Sequence, residues 1–157
     1  MSAVIKILLG AVTDLALIPA LFQVARLRRH FELFIGVSQI ITSTLFNTCE
    51  GLGISIFVRE QDWHFMSDVF SLSYMCCLLV HAMAISNENV NIVLRYSAFF
   101  LAWVFKARDT WDSGLWEAFL VGCYIVGAAA AVTSQPSRLS KFRRVPFFTG
   151  AGFWVAA

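Results

Sequence analysis

Ser43, Asn47 and Glu50 recur at i, i+4 and i+7 inside the apolar stretch 34–58, so a helix there carries all three on one face. The next apolar stretch opens with His64 and Asp68, again one helical turn apart. Hydroxyl, amide, carboxylate and imidazole groups of this kind can exchange hydrogen bonds, move a proton or hold a metal. At membrane depth each ionisable group is disfavoured by roughly 2.5–3.5 kcal/mol, and such groups normally face a bundle interior or a wet cavity. The five residues Ser43, Asn47, Glu50, His64 and Asp68 therefore read as a polar intramembrane site. His64, Asp68 and Glu50 are of the types that could form a weak metal site. The structural alternative puts His64 at the interface beside Trp63, with Asp68 hydrogen-bonded to Ser43 or Asn47 across two packed helices.

The chain around these residues has the composition of a membrane protein. Of its 157 residues 59% are hydrophobic and 14% charged, and the mean hydropathy is +0.71, which leaves too little polar surface for a soluble domain of this length. Apolar runs at 4–25, 34–58, 65–85, 90–105 and 115–132 are near spanning length, and a sixth starts at Val145 and is cut off at Ala157. The run 90–105 is short and carries Arg95, so it calls for snorkelling or help from neighbours. The first run is too long for a signal-peptide core and has no small-x-small cleavage site, which makes it a retained helix. No linker, repeat or low-complexity tract divides the runs. The expected fold is all-α: one transmembrane helical domain over 1–157, with five full spans and the start of a sixth.

Orientation follows from the basic residues. Arg26, Arg28 and Arg29 lie in the first connection, and Arg138, Lys141, Arg143 and Arg144 in the fifth. The positive-inside rule makes both cytoplasmic and the N-terminus external, with plasma membrane the expected location. The outer connections 59–62 and 106–114 then balance Arg59, Lys106 and Arg108 against Glu60, Asp62, Asp109 and Asp112. The net charge of +2 is modest and its basic residues sit at helix ends, which speaks against a nucleic-acid partner and for membrane lipids. Cys49, Cys76, Cys77 and Cys123 lack metal-ribbon spacing and read as packed thiols. Gly122, Gly127 and the alanines 128–131 offer a small-residue packing surface. Asp14 has Thr13, Arg95 or a polar group on another helix as possible partners, and His81 falls near the opposite membrane surface from Asp68.

Three stretches in order carry a resemblance. The segment 43–51, Ser-Thr-Leu-Phe-Asn-Thr-Cys-Glu-Gly, resembles a second-helix pattern of Ser-x-x-x-His followed by a small residue, Cys and Asp. The segment Trp63–Ser71 is similar to the third-helix stretch in which relatives carry an Asp, here Asp68. Asp109-Thr110-Trp111-Asp112-Ser113-Gly114 is similar to an Asp-x-Trp-x-x-Gly element. A first helix with Pro19 and a basic first connection are shared as well. By these features the chain resembles the myomaker and transmembrane protein 8 family, within the CREST superfamily of seven-helix membrane proteins.

The resemblance implies a seven-helix bundle in which several superfamily members bind Zn through a Ser, an Asp and three His and hydrolyse lipid amides or esters. In such sites the metal polarises a carbonyl and lowers the pKa of bound water to about 7. Ser43 and Asp68 are the catalytic candidates carried over. Asn47 stands where the second-helix His is expected, and a neutral amide oxygen is a much poorer Zn ligand than imidazole. The seventh-helix His-x-x-x-His pair has no counterpart after His81, so the chain reads as C-terminally incomplete relative to the family. No cofactor is expected for this chain, and Zn only where a complete family-type site exists. The leading functional expectation is a non-enzymatic multi-pass protein of membrane fusion, adhesion or remodelling, with membrane proteins or a second copy as possible partners. The alternatives are a divergent or truncated Zn-dependent lipid hydrolase and a lipid-binding, receptor-like bundle.

Overall fold

The computed structural model describes residues 10, 12, 14–108 and 114–134. These form five helices, α1 (Ile18–Arg26), α2 (His30–Leu52), α3 (Glu60–Ala82), α4 (Glu88–Arg108) and α5 (Leu115–Ser134), and the fold is all-α. The expected run at 145–157, residues 4–9 of the first run, the basic cluster 138–144 and Asp109–Ser113 lie outside the described residues.

Several boundaries differ from the sequence expectation, each for a local reason. The first run is not one continuous helix. Gly10, Val12, Asp14 and Leu15 are helical, Ala16 and Leu17 form a turn, and α1 begins at Ile18 with Pro19 in its first turn. Pro19 has no N–H for the Leu15 carbonyl, and the Leu17 N–H reaches back three residues to Asp14 instead. The second run ends as a helix at Leu52 and not at Val58. Gly53 caps it in the left-handed region (φ 64°), and the N–H groups of Gly53 and Ile54 both turn back to the Cys49 carbonyl.

α3 starts earlier than expected, at Glu60. The Asp62 carboxylate accepts from both the backbone N–H and the side chain of Arg59, a reciprocal cap that draws 60–62 out of the loop and into the first turn. α4 is longer than the run 90–105. Asn87 accepts from the N–H groups of Asn89 and Val90 to start it, and it continues to Arg108, which gives the 21 residues of a full crossing. Arg95 is held within α4 by donating to Asn91 Oδ1 at 2.9 Å. Among the described residues two helices, α3 and α4, are long and apolar enough to cross a membrane, and the apolar part of α5 is shorter, Leu115–Ala131. The polar residues of α2 keep it from that group despite its 23 residues.

The chain divides into two compact units, with the boundary inside α3 after Ser71. In the first unit α2 packs on α1 and runs antiparallel to the opening turns of α3. That pairing is fixed by an edge-on contact of Phe34 with Phe70 (6.3 Å between centroids), by Gln39 donating to Ser67 Oγ (3.4 Å), and by Phe46 against His64 (4.6 Å). Ile35, Cys49 and Val69 are fully buried there.

In the second unit α4 and α5 form an antiparallel pair held at both ends. Tyr124 donates to the Leu94 carbonyl at 2.9 Å with Ser97 Oγ 3.3 Å away, and Lys106 donates to Glu117 at 2.7 Å. Phe105 stacks on Trp116, which also receives the Arg108 guanidinium on its face at 4.9 Å. Lys106 and Arg108, expected in an outer loop, are thus helical and engaged with α5. Gly127 lies against the Met83 side chain, whereas Gly122 meets nothing, so the small-residue surface packs over part of its length. Cys76 and Cys77 are buried as expected, but Cys123 is exposed.

Gly53 has open space where a Cβ would go, so its glycine is required by backbone conformation alone. Gly53→Ala should lower stability by about 1–2 kcal/mol, the left-handed penalty for an L-residue. Gly53→Asn should be milder, read as thermal unfolding of the detergent-solubilised chain.

Candidate functional site

Two helical faces meet around the buried carboxylate of Asp14 in the first unit. Gly10 and Asp14 are spaced i, i+4 on the segment before α1, and Ser43 and Asn47 have the same spacing on α2. The Thr44 hydroxyl donates to Asp14 Oδ2 at 3.4 Å, Ser43 is also hydrogen-bonded to Asp14, and the Asn47 amide donates to Ser43 Oγ at 3.4 Å. Asp14 is 7% exposed. Gly10 lies so close to Asn47 that a Cβ built on it would overlap the amide nitrogen. The two rungs, Gly10 on Asn47 and Asp14 on Ser43 and Thr44, define an antiparallel crossing. The missing side chain of Gly10 permits the close approach that the hydrogen bonds require.

The remaining residues singled out from the sequence lie elsewhere in this unit. His64 Nδ1 is 3.0 Å from Asp68 Oδ2, both side chains are one-third exposed, and Phe46 covers the imidazole edge-on. Glu50 is exposed on the last turn of α2. The structure therefore ties Ser43 and Asn47 to Asp14, and sets Asp68 beside His64. This differs from the expected bridge of Asp68 to Ser43 or Asn47. The reason is that Ser43 and Asn47 turn toward the segment before α1, while Gln39 and Phe46, on the adjacent face of α2, meet α3. Asp14 finds its partners on α2. His81 is exposed in the last turn of α3.

Among the described residues no group of three His, Cys, Asp or Glu side chains is placed to hold a metal ion. Asn47 offers a metal only a neutral amide oxygen, and His64 and Asp68 together provide two donors where a Zn centre needs three or four. The described residues do not fit the Zn site that the resemblance implies.

Residues 2–157 match the family described as "Protein of unknown function (DUF3522)". The chain belongs to the DUF3522 family. Comparison with curated proteins finds no match. Membership in DUF3522 brings no reaction or substrate with it, so what this chain can do rests on its own residues. The Asp14 cluster offers hydrogen-bonding groups and one carboxylate in a protected crossing, and His64 with Asp68 offers a second, more open pair. Sequence reasoning singled out Ser43 and Asn47 but missed Gly10 and left Asp14 without a definite partner. The matching i, i+4 spacing of Gly10/Asp14 and Ser43/Asn47 is the signal that could have joined them.

Gly10→Ala should push against Asn47 and lower stability by about 1–3 kcal/mol, as overpacking does. If the clash is the cause, Gly10→Ala combined with Asn47→Ala should recover part of that loss in a double-mutant cycle. Purely additive melting temperatures would show that the two residues do not touch.

Proposed function

We propose that this DUF3522 chain is a multi-pass membrane protein of the cell surface that acts in membrane fusion, adhesion or remodelling, like the myomaker and transmembrane protein 8 family its motifs resemble. The observation that carries this reading is the outward apolar surface of α4. Val93 and Phe100 are each 65% exposed and Tyr96 57%, on a helix whose length and hydropathy suit a bilayer. A water-facing helix would put polar residues at those positions, and lipid is the solvent that accepts them. The same pattern on α5, with Phe119 58% and Val126 68% exposed, extends the support beyond the two helices long and apolar enough to span a membrane. Asp14 is buried and is met by Ser43 and Thr44, with Asn47 bonded to Ser43, as polar groups at membrane depth require.

A non-enzymatic role is favoured because the described polar residues serve packing. Asp14, Ser43, Thr44 and Asn47 bind one another across a helix crossing, and the His64–Asp68 pair lies against Phe46. The chain's contribution is then a stable apolar bundle presenting short connections at the membrane surface.

Two measurements test this reading. An N-terminal tag should be accessible outside intact cells, while a cysteine placed at Arg28 should be labelled only after permeabilisation. External labelling at Arg28 would reverse the orientation. In the second, two cell populations expressing the full chain with complementary halves of a reporter should adhere or mix contents more than untransfected cells. Surface expression without either effect, together with release of fatty acid from lipid amides or esters that stops in Asp68→Ala, would replace this function with a hydrolase.

A further inference from the structure

The connection between α2 and α3 holds a phenylalanine in a conformation that phenylalanine rarely adopts. Phe57 has φ 61° and is 96% exposed. Positive φ in a bulky residue is a true outlier, and such backbone persists only where its surroundings over-determine it. Here they do. The Val58 N–H bonds back to the Ile56 carbonyl at 2.7 Å across Phe57, and the Trp63 indole N–H donates to the same carbonyl at 2.8 Å. Arg59 is clamped to Asp62 through its backbone N–H, Nε and guanidinium. On the other side, Gly53 in its left-handed cap turns the chain out of α2. The result is a braced tip with one aromatic ring projecting fully, flanked by the exposed apolar side chains of Leu52, Ile54 and Val58, which are 56%, 45% and 37% exposed.

We infer that the tip around Phe57 is an interfacial anchor that inserts its apolar side chains into the lipid surface at the head of α3. The inference rests on the membrane reading proposed above and adds to it the depth and identity of a contact. Phe57 is three residues from the start of α3, and three residues extend about 10 Å at most, so the ring stays within a distance of the head of α3 comparable with the thickness of a lipid headgroup layer. The headgroup region beyond the hydrocarbon core is only about 5–8 Å deep on each side. Arg59 and Trp63 immediately follow, residue types suited to that boundary, where a cation meets lipid phosphates and an indole straddles polar and apolar layers. A glycine at position 57 would have made the same turn without strain. Keeping a large ring there at positive φ makes sense where the ring itself is used.

The test uses the full chain in phosphatidylcholine–phosphatidylserine vesicles, with peptide-level mass spectrometry after two labelling reactions. One is a carbene generated from a lipid-dissolved diazirine, and the other is aqueous hydroxyl radical. Val93, outward on α4, serves as the reference for membrane insertion as such. The expected result is carbene labelling at both Phe57 and Val93, with radical oxidation of Phe57 reduced on the order of several-fold relative to detergent-free aqueous peptide. In Phe57→Gly, which retains the positive φ, carbene label on this loop should fall several-fold while that at Val93 is unchanged. If Val93 is labelled and Phe57 is instead oxidised freely and unlabelled, the anchor is wrong and the membrane reading stands. If neither is labelled, the membrane reading fails and takes the anchor with it. Protection of Phe57 without lipid label, growing with protein density in the vesicle, would assign the tip to contact between two copies and overturn the lipid assignment.

Discussion

The first unit depends on placing one carboxylate. Asp14 is buried in the crossing between the segment before α1 and α2, where an unsatisfied charged or polar group would be disfavoured by several kcal/mol. Ser43 and Thr44 meet that demand directly, and Asn47 supports Ser43. Those bonds form only if the two backbones approach closely, which Gly10 allows by having nothing to put against Asn47. Close approach and polar pairing are therefore one device, and neither would be stable without the other. The turn at Ala16–Leu17 and Pro19 in the next helical turn let the chain bend after Asp14 without giving up that crossing.

Short connections recur through left-handed residues. Gly53 ends α2 without strain, but Arg28 after α1, Phe57 before α3 and Ala84 after α3 also have positive φ, at 54°, 61° and 48°. An L-residue in that region costs roughly 1–2 kcal/mol, and each is surrounded by backbone hydrogen bonds that hold it there. Arg28 is typical, with its own N–H on the Ala25 carbonyl and the next N–H on that of Val24. Helices that end abruptly in this way fix the direction in which the chain leaves each one and keep the connections short.

The second unit solves the same problem with longer side chains. Lys106 and Glu117 at one end of the α4–α5 pair and Tyr124 with the Leu94 carbonyl at the other fix register, and the Phe105–Trp116 stack fills the space beside the ion pair. Lys106 is only 11% exposed and Glu117 31%, so this pair is far better sheltered than Arg59 with Asp62, at 77% and 43%. The sheltered pair orders two helices. The exposed one caps a helix start and braces a loop.

Helical character, the apolar runs and the shared inward face of Ser43 and Asn47 were legible in the sequence because helix period and hydropathy are local properties, whereas Glu50, assigned to the same face, is exposed. The residue types also announced that Asn47 is a poor substitute for a metal-binding histidine. Helix ends were less legible. Gly53 and the Arg59–Asp62 clamp override an apolar run that continues past Leu52, and Asn87 starts α4 ahead of its first strongly apolar residue. What only the tertiary structure decided is which polar groups meet. Ser43 goes to Asp14 with Asn47 bonded to Ser43 and set against Gly10, while His64 keeps Asp68, because adjacent faces of α2 contact different segments and a few tens of degrees around a helix axis choose between them. Sequence spacing fixes which side chains share a face. It carries no information about which neighbour that face will find, since that is settled by backbone approach at Gly10 and by ring packing at Phe34 and Phe46, contacts between residues remote in the chain.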